Sequence, residues 1–150
     1  MSAHVVSLQL HERKGEAPRA VAEVAGRVGG GLVGDSHEGR ATRAVLIVDR
    51  STLDECGLRP GDLREQVTLA GLPGVTPLTP GTELRIGGLV LRVSGPCEPC
   101  THIGGLLGVS DPEKLRRSLV GRRGAVGTVI AAAGTARVGD SVDVVLGVSG

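Results

Sequence analysis

Two cysteines and a nearby histidine form the most reactive group of side chains in the sequence. Cys97 and Cys100 stand in a Cys-Glu-Pro-Cys segment, and His102 follows two residues later. A Cys-x-x-Cys pair brings two sulfurs close together in a turn, where one thiol can be acidified and attack while the other resolves the product. The segment therefore indicates redox or sulfur chemistry.

Two other interpretations of these cysteines stay open. The pair can be inert thiols beneath a turn, or part of a structural zinc site that makes the chain a zinc-binding module. Such a site needs about four ligands, whereas Cys97, Cys100 and His102 supply at most three. His37 or Cys56 would have to complete the set, although the position of Cys56 on a short helix favours a small buried apolar side chain.

A glycine-rich segment over residues 29–40 is the second candidate. Its glycines let the backbone approach a ligand closely and expose amide N–H groups, while His37, Arg40 and Arg43 offer further donors. The segment matches neither a Walker A motif nor a dinucleotide fingerprint. The glycines alone are equally typical of a flexible loop, and the polar cluster beside them favours a binding site.

Composition restricts the fold and the partners. The 150 residues predict a single domain over 1–150, and the complete lack of Phe, Tyr and Trp requires an aliphatic core. A net charge of +1 without aromatic residues argues against nucleic-acid binding. No long apolar run indicates a signal peptide or a membrane span, so we expect no membrane partner and a cytoplasmic location. Three cysteines fit reduced thiols in that compartment.

Short apolar runs separated by glycines predict many strands and few helices. In the clearest hairpin, Thr82 to Ser94, a Gly-Gly turn would pair Ile86 with Leu89 and Leu84 with Leu91. Asp111-Pro112-Glu113 predicts a helix start, and residues 51–56 predict one or two helical turns. The other strand candidates are Val5 to Leu10, Arg19 to Val24, Ala44 to Val48, Glu65 to Leu69, Ala125 to Ala131 and Ser141 to Leu146. We therefore expect a mainly β fold, a closed or partly closed antiparallel β-barrel with a few short helices.

The order of several motifs resembles that of the MOSC domain family, named after the C-terminal domain of molybdenum cofactor sulfurases. The resemblance runs from about residue 20 to about residue 146, and Gln66 departs from it where the family usually has Asn. Its segments are Gly34-Asp35-Ser36-His37, the strand Ala44 to Ile47, Pro60 to Leu72 with Pro-Gly-Asp-x-x-Glu, Leu78 to Gly87, Pro99-Cys100, Arg123 to Gly127 and Gly139 to Val142.

The resemblance implies a β-barrel that holds a molybdopterin-type cofactor or a sulfur-bearing group. Carried over to this chain, Cys100 is the residue that bears a persulfide or coordinates molybdenum, and Cys97 is its resolving neighbour. Asp35 and His37 would position or protonate the bound group, which makes His37 a third candidate catalytic residue. The remaining candidates for cofactor binding are Arg40, Arg43 and Glu65. The two arginines would face a phosphate or carboxylate of the bound group, and Glu65 would orient these side chains.

Two family activities follow as expectations. One is a sulfur carrier, loaded by a cysteine desulfurase in pyridoxal phosphate-linked sulfur transfer or by another sulfur donor. The other is a molybdenum-dependent reductase of N-hydroxylated compounds, which would act on a small-molecule substrate. Without aromatic rings, a pterin would have to lie against arginine planes, glycine backbone or aliphatic walls.

Overall fold

Alternating apolar residues and glycine-rich turns fold most of the chain into short β-strands. A computed structural model describes residues 3–13, 16–72, 74–97 and 107–145. The strands in these segments are β1 His4–Leu10, β2 Arg19–Val21, β3 Glu23–Val24, β4 Val45–Asp49, β5 Val67–Ala70, β6 Glu83–Ile86, β7 Leu89–Pro96, β8 Ala125–Ala132, β9 Ala136–Arg137 and β10 Val142–Val145.

The β6–β7 hairpin has the pairing that the sequence predicts. Leu84 lies opposite Leu91, and Ile86 lies opposite Leu89. All four side chains are buried on one face. Gly87 begins the turn with a φ of 57°, a left-handed conformation that glycine adopts without steric cost.

Eight strands form one sheet in the order β10-β6-β7-β8-β4-β5-β1-β2, while β3 and β9 form a separate pair. The two sides of the large sheet approach each other, because the Val5 N–H donates to the Asp140 carbonyl at 2.9 Å and His4 bridges Ser141. The sheet therefore curls into a partly closed barrel, which confirms the predicted fold class. Two details differ from the prediction: β4 and β5 run parallel, and the predicted strand over 19–24 is divided into β2 and β3.

Within the described ranges, the short helices with defined bounds are α1, which spans Arg50–Glu55, and α2, which spans Pro112–Ser118. Asp49 caps α1 and Asp111 caps α2, each through a side-chain oxygen that accepts a main-chain N–H. Since α1 follows β4 and precedes β5, it provides the crossover that a parallel pair requires. No helix within the described ranges is long and apolar enough to span a membrane.

The interior is aliphatic, as a chain without aromatic residues requires. The main core fills the barrel with side chains such as Leu8, Ile47, Leu69 and Leu91. A second, smaller core joins the helices to the outside of β4 and consists of Val48, Leu53, Leu63 and Leu119. The sheet therefore provides a rigid support for the loops that carry the candidate site.

Candidate functional site

A small basic pocket beside β4 and β8 brings together three of the candidate residues, His37, Arg40 and Arg43. Its volume is about 200 Å³. Cross-strand partners Leu46 and Val126 form an aliphatic wall. None of the described residues that line it is acidic. The polar residues of this arginine pocket are His37, Arg40, Arg43, Arg64, Gln66 and Arg123.

The glycine-rich segment folds back on itself and thereby places His37 and Arg40 in the pocket. The Gly31 N–H donates to the Glu38 carbonyl at 2.9 Å, and the Glu38 carboxylate accepts the Gly34 N–H at 2.8 Å. The N–H groups of Gly29 and Gly30 donate to Val129 and Arg27 carbonyls. Because these amides are bonded within the protein, the prediction that they face a ligand is wrong; the segment supplies side chains.

Arg43 and Arg64 hold a left-handed backbone conformation, with φ of 52° and 64°. A residue with a Cβ pays about 1–2 kcal/mol to adopt it. Such strain is concentrated at functional sites, where the surrounding structure maintains it. Both residues line the same pocket, so strain and positive charge coincide there.

Arg123 is the most deeply buried of the four arginines. Its residue is 7% exposed, and its Nε and Nη1 atoms have no hydrogen-bond partner among the described residues. A buried guanidinium without partners is unfavourable, and an anion in the pocket would satisfy it. In the sequence, Arg122 and Arg123 belong to a local basic stretch, which is typical of a solvated surface and could alternatively help to hold a phosphate. In the structure only Arg123 lines the pocket, whereas Arg122 donates hydrogen bonds to Glu55 and to the Ser118 carbonyl.

A buried network behind the pocket supports His37. The Asp35 carboxylate accepts the main-chain N–H groups of His11 and His37 at 2.8 and 2.9 Å. Gln66 donates to Asp35 at 3.2 Å, and its Nε2 lies 3.4 Å from Nδ1 of His37. His11 Nδ1 lies 3.4 Å from Asp35 Oδ1, and neither ring nitrogen of this buried histidine has a hydrogen-bond partner in the described part of the chain. Asp35 does not line the pocket itself and is connected to it through its hydrogen bonds with His37 and Gln66.

The network sets the ionisation of its members. Burial alone would raise the pKa of Asp35, but the His11 side chain and the main-chain N–H groups of His11 and His37 outweigh burial and lower it. Burial and the nearby Arg40 lower the pKa of His37, against the opposite influence of Asp35. Asp35 is therefore a carboxylate and His37 a neutral imidazole at neutral pH.

Glu65 precedes Gln66 in the chain and is fully buried. Its carboxyl group accepts the Thr68 hydroxyl at 2.9 Å and the Leu63 N–H at 3.2 Å. Burial raises its pKa, and the charge of Arg123 opposes that change without reversing it. Glu65 does not line the pocket, so any contribution to ligand binding passes through neighbours such as Arg123.

The cysteines are only partly described. Cys97 donates its N–H to the Gly124 carbonyl at 2.8 Å and lines a second cavity of about 520 Å³ beside Arg116. Cys100 and His102 lie outside the described residues, and so do the predicted Cys97–Cys100 pair and the alternative zinc site. Cys56 is partly buried against the second core, as expected. Within the described ranges no group of three or more His, Cys, Asp or Glu side chains is placed to hold a metal ion.

A comparison with protein-family models decides the family. The model of the MOSC domain matches residues 34–143, which covers the pocket and most of the barrel. The chain belongs to the MOSC domain family. The family resemblance of the sequence motifs is thereby confirmed, and the pocket lies within the matched region.

Solved structures support the same fold for this MOSC domain. The YuaD protein from Bacillus subtilis superposes with a TM-score of 0.85 at 23% identity, over 96% of each chain. YiiM from Escherichia coli superposes with a TM-score of 0.68 at 22% identity, and the alignment covers 99% of this chain and 71% of that chain. YiiM from Geobacillus stearothermophilus superposes with a TM-score of 0.72 at 19% identity, and the alignment covers 95% of this chain and 75% of that chain. No curated protein sequence matches significantly.

The sequence alone assigns no role to three residues of this MOSC site: Arg64, Gln66 and His11. Arg64 stands in a quoted motif, and its positive φ is invisible in the sequence. Gln66 departs from the family pattern in the sequence, but its hydrogen bonds to Leu46 and Asp35 join segments that only the fold brings together. His11 carried no signal at all, because it follows β1 and meets Asp35 only through the fold.

Proposed function

We propose that this MOSC protein binds the phosphate or carboxylate end of a cofactor in the arginine pocket and uses Cys100 to carry sulfane sulfur or to coordinate molybdenum. The observation that supports the proposal is the pocket itself: four arginines converge on about 200 Å³ with no acidic residue among the described lining residues. No described carboxylate lies within ion-pair distance of these arginines. An anionic ligand would provide the missing counter-charge.

The residues present fit the anionic end of a molybdenum cofactor. The unpartnered guanidinium nitrogens of Arg123 need an acceptor, and arginine forks match phosphate oxygens geometrically. At about 200 Å³ the pocket is smaller than the 300–1,000 Å³ typical of sites for drug-sized ligands. The pocket therefore suits a phosphate-sized group, while the remainder of a ligand would lie outside it.

Each residue has a separate task in this mechanism. Arg40, Arg43, Arg64 and Arg123 bind and orient the anionic group, and the neutral His37 ring donates a hydrogen bond to it. Asp35 keeps His37 in place from behind. The Cys100 thiolate is the nucleophile for a sulfane sulfur atom or a ligand for a soft metal. A bound molybdenum centre would supply the redox chemistry, whereas the persulfide alone suffices for sulfur transfer.

The cofactor branch is tested by what co-purifies with the protein. The wild type, Cys100→Ser and Arg123→Met would be purified under reducing conditions from cells that make molybdenum cofactor, and molybdenum and pterin would be measured. We expect cofactor in the wild type and a loss in both variants. Arg85→Met is the matched control, because Arg85 lies exposed on β6. Equal retention by all four proteins would contradict the cofactor branch.

The sulfur-carrier branch needs a cysteine desulfurase and cysteine as the sulfur source. We expect a cyanolysable sulfur and a mass gain of one sulfur atom on the peptide that contains Cys100. Cys56→Ser should still accept sulfur, since Cys56 packs against a different core, whereas Cys100→Ser should not. If the wild-type protein gains no sulfur from the desulfurase and also retains no cofactor on purification, both branches are refuted.

A further inference from the structure

Gln66 holds a fixed amide orientation between β4 and the pocket. Its side chain is buried, with the residue 1% exposed. Its Oε1 atom accepts the Leu46 N–H at 2.7 Å. A main-chain N–H can only donate, so the amide oxygen must face Leu46 and the NH₂ group must face the opposite way.

On that opposite side the NH₂ group meets two partners. Nε2 lies 3.2 Å from Oδ2 of Asp35 and 3.4 Å from Nδ1 of His37. The group has two hydrogens and no acceptor capacity. One hydrogen serves the Asp35 carboxylate, and the other requires a lone pair on Nδ1 of His37.

We propose that Gln66 is a positioning residue that fixes His37 in the neutral tautomer with its proton on Nε2, so that His37 serves the arginine pocket as a hydrogen-bond donor. The purpose of this arrangement rests on the proposed anion binding, but the tautomer itself does not. A neutral N–H donor adds a directional contact to an anion without adding a fifth positive charge to the pocket.

The alternative tautomer is disfavoured by the distances. Nδ1 of His37 lies 3.8 Å from Oδ2 of Asp35, too far for a hydrogen bond. A proton on Nδ1 would also face the donor group of Gln66. The titratable and charged groups that face His37 are Asp35, His11, Arg40 and Arg64, and with burial their net effect lowers the pKa of His37, in agreement with a neutral ring.

The direct test is the protonation pattern of the imidazole in the full-length wild-type protein. Long-range ¹⁵N–¹H correlation spectra at neutral pH distinguish Nδ1–H, Nε2–H and imidazolium forms, and His37→Gln assigns the signal by its loss. We expect the Nε2–H form. An Nδ1–H form or an imidazolium would overturn the proposal.

Gln66→Glu is the decisive variant, because it keeps the shape and the acceptor for Leu46 but replaces the donor with an acceptor. Any proton on the new carboxyl group is shared with the adjacent Asp35 carboxylate, so a lone pair still faces His37. We expect a proton on Nδ1 of His37, as an Nδ1–H ring or an imidazolium, and a folded variant that keeps the neutral Nε2–H form would overturn the proposal. If Gln66→Glu does not fold, the wild-type spectrum decides alone. Titration with inorganic phosphate separates the two claims: an Nε2–H ring in a protein that binds no phosphate refutes the proposed function and leaves the tautomer standing.

Discussion

Replacing Arg123 by methionine should raise the stability of the folded protein and weaken anion binding in the pocket. Methionine keeps the apolar stem of the side chain and removes the two buried guanidinium nitrogens that lack partners. Each buried, unsatisfied polar group costs about 1–3 kcal/mol. The lost attraction between Arg123 and Glu65 offsets part of the gain, so we expect a net stabilisation of about 1–3 kcal/mol.

The same change should weaken anion binding. A hydrogen bond to a charged group contributes about 1.5–3 kcal/mol, which corresponds to about a 10- to 150-fold increase in Kd for inorganic phosphate. Urea unfolding gives the stability and isothermal titration calorimetry gives the affinity. The Glu65→Gln background serves as a matched reference, because it removes the coupled carboxyl group from the comparison.

The essential result is that Arg123→Met raises the free energy of unfolding while it lowers the affinity for phosphate. Arg123→Lys should retain part of the affinity, since it keeps the charge but loses the fork. If Arg123→Met loses stability in both backgrounds while phosphate affinity is unchanged, the residue is structural. The claim that the unpartnered guanidinium nitrogens of Arg123 bind an anion would then be refuted.

Three further predictions concern residues around the pocket. Burial raises the pKa of Glu65 above 4.5, so folding stability falls as pH rises through the folded-state pKa; Glu65→Gln should raise urea stability at neutral pH, with no gain below pH 4.5. Gly30→Ala should lower both thermal stability and phosphate affinity, because a Cβ would overlap the Glu38 carbonyl, whereas Gly39→Ala has room and should change neither. Arg64→Asn should raise the free energy of unfolding in urea by up to about 1 kcal/mol, because asparagine adopts the left-handed conformation with less strain. The same variant should bind phosphate about 10-fold more weakly in calorimetry.

The sequence predicts those parts of the fold that depend on neighbouring residues. The register of Leu84 with Leu91 follows from a two-residue turn and strict alternation. The cap at Asp111 likewise follows from adjacent residues. The parallel pairing of β4 with β5 was not predicted, because it depends on the crossover through α1 and on packing between distant segments.

The candidate site divides in the same way. His37, Arg40 and Arg43 lie within one short segment, and their proximity is evident from the sequence. Arg64 and Arg123 come from distant segments and meet the others only in the folded chain. The roles of individual atoms, such as the amide orientation of Gln66, depend on hydrogen bonds that only coordinates reveal.

Native mass spectrometry of the purified protein tests the central claim most directly, because it reports what the pocket and Cys100 hold. The account predicts that the wild type carries either a cofactor with an anionic end or one added sulfur atom after desulfurase treatment. Cys100→Ser should lose either species, Arg123→Met should lose the cofactor, and Arg85→Met should resemble the wild type. If each of the four proteins has only the mass calculated for its own bare chain under both conditions, the account is contradicted.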